Sequence, residues 1–185
     1  MIKAIIFDWD GVFTSDFYKE ISKVCNDKKR ILKFEHKYTD INNCDGFWQD
    51  LRKEFNIKNS DEDLKKRFLY HNKTGLLELL PKLKKYKLYL LSNQIKVRAD
   101  YIKSNFDLSS FKKTFFSNEI GLMKPNKEIF EFALNKIKLK PEECLFIDDR
   151  YNNILTAKKL GINTIQCKNL TQLKKDILSF SIQLD

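Results

Sequence analysis

No stretch of this chain approaches the length needed to cross a membrane, and none repeats another. Low-complexity segments are absent as well, although Lys, Asn and Ile are frequent throughout. Near the amino terminus a single lysine, Lys3, precedes a short apolar run that ends in acids, a pattern that does not read as a secretory signal peptide. The four cysteines, Cys25, Cys44, Cys144 and Cys167, form no Cys-x-x-Cys pair. Neither a zinc knuckle nor a disulfide framework is expected from them, and a reducing, cytoplasmic setting fits best. Cys144 and Cys167 fall in apolar, strand-like runs and read as small buried hydrophobes. A basic tail is missing too. The formal net charge of +10 comes from groups such as Lys65-Lys66-Arg67 and Lys112-Lys113, spread along the chain without interleaved aromatics. They read as solvated helix faces, so nucleic acid is not an expected partner; the modest consequence is a positive field that attracts phosphorylated substrates.

What is present is the composition of a folded domain. The chain has 185 residues, 32% charged and 42% hydrophobic, close to globular averages and enough for one α/β domain with a small insertion. Ala4-Ile5-Ile6-Phe7 reads as a central parallel strand, and it runs directly into Asp8-Trp9-Asp10-Gly11. Asp8 and Asp10 stand two apart, so they project to one side if the strand geometry persists. Two such carboxylates are tolerable only if a cation joins them or if they differ in protonation. Either solution is useful chemically: one acid can attack a phosphoryl group while the other handles a proton. Gly11 lets the backbone turn sharply beside a ligand.

From about residue 16 to 73 the pattern is helical, with no good strand. Phe47, Trp48, Leu51 and Phe55 share one helical face, and Ser60 with Asp63 resembles a capping box ahead of Leu64, Phe68 and Leu69. These aromatics read as the core of a small helical insertion. From Thr74 strands and helices alternate. Helices are expected over Leu76–Lys85, with Pro81 kinking or restarting it, Ile95–Asn105, Pro125–Lys138, Asn152–Leu160 and Leu170–Phe180. Strands are expected over Lys87–Leu91, Thr114–Phe116, Cys144–Ile147 and Asn163–Cys167. The alternation predicts a three-layer, Rossmann-like α/β/α domain around a parallel sheet.

Polar residues follow three of the strands: Asp8 and Asp10, then Ser92 and Asn93, then Asp148 and Asp149. In a parallel sheet these ends converge on one edge. There Ser92 and neighbouring amides can hold phosphoryl oxygens, and Asp148-Asp149 can complete an oxygen-rich Mg2+ site with Asp8 and the main-chain carbonyl of Asp10. Lys124, just ahead of Pro125 and a helix, can bring a positive charge to the phosphate and the nucleophile.

Four stretches, Phe7-Asp8-Trp9-Asp10-Gly11, Leu91-Ser92-Asn93, Gly121-Leu122-Met123-Lys124-Pro125 and Phe146-Ile147-Asp148-Asp149-Arg150, occur in an order that resembles the haloacid dehalogenase-like hydrolases. The likeness is greatest to the branch with a helical cap inserted after the first motif, which includes glucose 1-phosphate phosphatase-like enzymes. The resemblance implies a core of residues 1–15 and 74–185 and a cap of residues 16–73. It implies Asp8 as the nucleophile that forms an aspartyl-phosphate, Asp10 as general acid and base, Ser92 and Asn93 at the phosphate, and Lys124 steadying the charges. Mg2+ would be held by Asp8, Asp10, Asp148 and Asp149, with Asp149 ligating directly and Asp148 directly or through water. Asp10 argues against dehalogenation, since the dehalogenases of the family lack a carboxylate there. Val12 stands where many relatives have threonine and Asn153 where some have aspartate; neither departure removes a catalytic group. His36 and His71 receive no role, and the stretch from Tyr38 to Phe47 is a candidate specificity region. The expected activity is Mg2+-dependent hydrolysis of a small phosphorylated metabolite, a sugar phosphate or a nucleotide, by a monomer or weak homodimer. The rivals are a phosphomutase, a binding or regulatory module without chemistry, and a nucleic-acid end phosphatase. Asp8, Asp10, Ser92, Lys124 and Asp149, all intact, weigh against a non-catalytic module.

Overall fold

Among the described residues five runs form strands, β1 (Ala4–Phe7), β2 (Lys87–Ser92), β3 (Phe111–Phe116), β4 (Cys144–Asp148) and β5 (Asn163–Gln166). The structure, a computed structural model, describes residues 1–14, 27–38, 46–69 and 73–184. Cys25, Cys44, His71 and most of the stretch between Tyr38 and Phe47 lie outside the described residues, as do the side chains of His36 and Phe68. The strands are all parallel, in the order β3-β2-β1-β4-β5. Parallel neighbours need crossovers, and helices supply them. Alternate residues then serve opposite faces. Ile5, Phe7, Leu90 and Ile147 pack to one side with residues of a 3₁₀ helix (Leu76–Leu83) and of helices that follow β2 and β5. Ala4, Ile6, Leu91 and Phe146 pack to the other with Phe130 and Ala157. The result is the expected three-layer α/β/α fold. Each fully buried Leu, Ile or Phe contributes on the order of 1.5–3 kcal/mol.

The described helices are α1 (Lys28–Tyr38), α2 (Phe47–Phe55), α3 (Asp61–Leu69), α4 (Lys96–Asn105), α5 (Ser117–Ile120), α6 (Lys127–Ile137), α7 (Tyr151–Lys159) and α8 (Leu170–Ser179). Two helical segments and one strand differ from expectation for physical reasons. Leu76–Leu83 winds as a 3₁₀ helix, since Pro81 lacks an amide donor; Leu76, Leu79, Leu80 and Leu83 still reach the core. Helix α6 begins at Lys127, two residues after Pro125, because Asn126 N donates to Met123 O at 3.0 Å and closes a turn first. Strand β3 begins three residues early, at Phe111. Its Lys112 and Lys113 are exposed on an edge strand, where lysine is at home, and they hide the strand from a reading based on apolar runs. Helix α5 had no expectation.

Helices α1, α2 and α3 gather Ile31, Phe34, Tyr38, Phe47, Leu51 and Leu64 into a separate cluster, with Trp48 and Phe55 packed against it. Asp63 N donates to Ser60 Oγ at 3.2 Å, one half of the expected capping box at the start of α3. One member of the cluster, Ile95, belongs to the loop after β2. The two stems of the insert are joined as well: Thr14 bridges Lys73, Thr74 N donates to Phe13 O at 3.0 Å, and Thr74 Oγ1 donates to Val12 O at 2.5 Å. Among the described residues no helix is long and apolar enough to cross a membrane.

The loop after β1 is anchored by Trp9. Its ring is wholly buried, 4.8 Å from that of Phe106 and 5.4 Å from that of Phe13, and its carbonyl accepts from Phe13 N at 2.8 Å. Trp9→Ala is expected to lower the unfolding free energy by about 3–5 kcal/mol in urea melts, and Trp9→Phe by far less. Equal melts for Trp9→Ala and the parent would show that the ring is no anchor.

Candidate active site

Register brings the polar strand ends together. Phe7 lies beside Leu90 of β2 and Ile147 of β4, so the next residue, Asp8, sits at the sheet edge between Leu91 and Asp148. Asp8 N donates to Ile147 O at 2.9 Å, continuing the ladder by one bond. The strand ends at Phe7, and the two acids that follow it go to different partners.

Asp8 is buried, and Trp9 N donates to its Oδ1 at 2.8 Å. Lys124 Nζ, with a wholly buried side chain, lies 2.8 Å from Asp8 Oδ1 and 2.6 Å from Asp148 Oδ2. Asn93 holds the main chain of that lysine from both sides: its Nδ2 donates to Lys124 O at 2.7 Å, and its Oδ1 accepts from Lys124 N at 2.8 Å. Asp148 accepts from Arg150 N at 2.8 Å and from Asn153 Nδ2 at 3.1 and 2.9 Å. Asn153 therefore has a defined task, binding both oxygens of a buried acid as an aspartate there would not.

The carboxylates of Asp8, Asp148 and Asp149 offer oxygens within 4.8 Å of one another. Gly11 makes room for this: it has φ +77°, and a Cβ there would come within 2.3 Å of Asp149 Oδ2. The main chain next to Asp10 thus runs directly against Asp149. Asp10 itself has its carboxylate elsewhere, outside that cluster. Gln94 Nε2 donates to Asp10 Oδ2 at 2.8 Å, Thr14 Oγ1 donates to Oδ1 at 3.1 Å, and Arg98 pairs with both oxygens. Ser92 Oγ accepts from the same Gln94 amide at 3.0 Å.

Burial pushes the Asp8 carboxyl up to about 8; Lys124 opposes the shift, and Asp148 and Asp149 add to it. Burial works against the charge on Lys124, but Asp148 and then Asp8 outweigh it and hold the ammonium above its ordinary value. With all three acids ionised, three carboxylates against one ammonium would sum to a formal charge of about −2, which a divalent cation would balance. An all-oxygen donor set suits Mg2+. The residues fit the ion.

Sequence reasoning named Asp8, Asp10, Ser92, Asn93, Lys124, Asp148 and Asp149, and all of them lie at the sheet's carboxyl edge. The Asn93 side chain, expected at the phosphate, is instead engaged with the main chain of Lys124. Gln94 and Arg98 were missed. The signal for Arg98 was a charged residue among Ile95, Ala99 and Ile102, on the helix face that packs inward.

The family model for haloacid dehalogenase-like hydrolases matches residues 2–161. The chain belongs to that family. It is 29% identical to D-ribitol-5-phosphate phosphatase of Bacteroides thetaiotaomicron, over 96% of this chain and 97% of the relative. It is 26% identical to flavin mononucleotide hydrolase 1 of Arabidopsis thaliana, over 99% of this chain and 79% of that protein. A crystal structure of a family enzyme from B. thetaiotaomicron, in complex with magnesium and inorganic phosphate, superposes with a TM-score of 0.76 at 26% identity. That likeness covers 94% of this chain and 99% of the other.

A stability test follows from the raised Asp8. From pH 3.8 to about 8 the unfolded carboxyl is ionised while the folded one stays protonated, so without a divalent cation stability falls as pH rises through that window. Thermal melts in chelator are expected to show this fall, Asp8→Asn to flatten it, and Mg2+ to stabilise the parent more than the variant. A parent whose melting temperature rises steadily over the same pH range would contradict the assignment.

Proposed function

We propose that this hydrolase is a Mg2+-dependent phosphatase of a small phosphorylated metabolite, a sugar phosphate or a nucleotide, and that it works through an aspartyl-phosphate on Asp8. The observation that carries the reading is the buried Asp8 carboxylate at the end of the central strand, bound by Lys124 beside Asp148 and Asp149. The relatives support the substrate class: their names specify D-ribitol 5-phosphate, flavin mononucleotide and glyceraldehyde 3-phosphate.

Asp8 and Asp149 would hold Mg2+ with the Asp10 carbonyl, Asp148 assisting directly or through water. When bound, the ion neutralises the acids and polarises a phosphoryl oxygen. The side chains do the rest. Ser92 Oγ and the main-chain amides after β2 hold the phosphoryl oxygens. A carboxylate oxygen of Asp8 attacks phosphorus, and Asp10 protonates the departing ester oxygen. Asp10 then takes a proton from water as that water attacks the phosphorylated Asp8. Lys124 offsets the charge on Asp8 in both steps, with Asn93 and Asp148 keeping it in place.

In this reading the core is residues 1–15 and 74–185, and the insert, residues 16–73, is a cap. The joined stems at Thr14 and Lys73 enter next to Asp10, where closure of the cap would exclude bulk water. The setting is a reducing cytoplasm, with the buried Cys144 and Cys167 as thiols.

The test is phosphate release from a panel of sugar phosphates, polyol phosphates and nucleotides, with Mg2+ and with chelator. Mg2+-dependent release is expected to favour one member. Asp8→Asn is expected to lose at least roughly 10³-fold in kcat while remaining folded. Near-parental turnover by Asp8→Asn would sink the nucleophile assignment, and an isomeric phosphate ester in place of free phosphate would make the enzyme a mutase.

A further inference from the structure

Three side chains that the scheme above leaves unused meet at Asp10. Arg98, in the first turn of α4 and only 2% exposed, sets Nε 3.3 Å from Asp10 Oδ2 and pairs through a terminal nitrogen with Oδ1. Gln94, equally buried, donates to Oδ2 at 2.8 Å, and Thr14 Oγ1 donates to Oδ1 at 3.1 Å. Donors from three places along the chain reach one carboxylate and leave it little freedom to turn.

The arrangement has a cost. A guanidinium at this depth is tolerated only with its counter-charge beside it. Arg98 shares its helix face with buried Ala99 and Ile102, where an apolar side chain would pack without that penalty. The segment that carries Gln94 and Arg98 is also pinned on two sides. Gln94 N donates to Ser117 Oγ at 2.9 Å, and Ser117 Oγ donates to Gln94 O at 3.1 Å. Ile95, next in sequence, is packed into the cluster of the helical insert.

We infer that Arg98 and Gln94 are positioning residues for hydrolysis of the phosphorylated enzyme, fixing Asp10 where it receives the proton of the attacking water. The inference rests on the roles proposed above for Asp8 and Asp10. In this step the water oxygen bonds to phosphorus as the bond from phosphorus to the Asp8 oxygen breaks. One water proton passes to an Asp10 oxygen and later to solvent, and inorganic phosphate leaves. Loosening the clamp slows this step. It spares transfer of a phosphoryl group to Asp8 from an ester whose leaving group needs no proton.

The chromogenic ester p-nitrophenyl phosphate separates the two steps, because kcat/KM reports transfer to Asp8 and kcat includes hydrolysis of the intermediate. With Mg2+ present, Arg98→Met is expected to lower kcat roughly tenfold or more, and Gln94→Met several-fold, with kcat/KM kept within about threefold of the parent. Rapid mixing should then show a burst of p-nitrophenol close to the enzyme concentration, and Arg98→Lys should recover part of kcat. Should Arg98→Met fail to fold, Gln94→Met and Arg98→Lys carry the same comparison. Parallel falls in kcat and kcat/KM without a burst would make the clamp mere scaffolding, and an unchanged kcat in Gln94→Met and Arg98→Met would also overturn the inference. Asp10→Asn tells the two levels apart. A fall in kcat there, with none in the clamp variants, refutes the clamp alone, whereas parental kcat in Asp10→Asn refutes the role of Asp10 and the inference with it.

Discussion

One buried ammonium organises the carboxyl edge of this sheet. Lys124 lies between Asp8 and Asp148, both buried, and neither acid would tolerate the other at that distance from water without it. The surrounding groups follow from its placement. Asn93 fixes the lysine's backbone, and Asn153 and Arg150 N satisfy the lone pairs of Asp148 that the ammonium leaves over. Asp149 joins as a third acid, and with all three ionised the one ammonium would leave a negative charge of the kind a divalent cation balances.

A second pair, Arg98 with the half-buried Asp10, gives the two acids different surroundings. The two acids of the first motif are two residues apart in sequence, yet one is tied to Lys124 and the other to Arg98. Separation of this kind lets neighbouring carboxylates take different roles. Trp9, between them in sequence, is wholly buried against Phe13 and Phe106. The helical insert touches this arrangement through Ile95 and through its stems, so its packing and the position of Asp10 are built on shared residues.

Much of the fold was legible because the physical signals are local. Apolar runs long enough for one strand, broken by turn residues and helical periods, define a parallel α/β sheet, and parallel strands must end on one edge. The start of the charged edge strand β3 is not legible, since its Lys112 and Lys113 break the apolar run and suit a strand with one flank unpaired. The 3₁₀ winding of Leu76–Leu83 depends on how Pro81 is accommodated within a leucine stripe, which periodicity does not resolve.

For the site, the sequence by itself determined which acids and which hydroxyl stand at strand ends, because strand direction alone delivers them there, and it marked Lys124 only as the basic residue ahead of a proline-led helix. Only the tertiary structure decided their partners. Asp10 and Arg98 are 88 positions apart and Asp10 and Gln94 are 84 apart, and no local pattern encodes a bond across that separation. Their meeting depends on the pairing of β1 with β2, which places the loop after one strand beside the helix that follows the other.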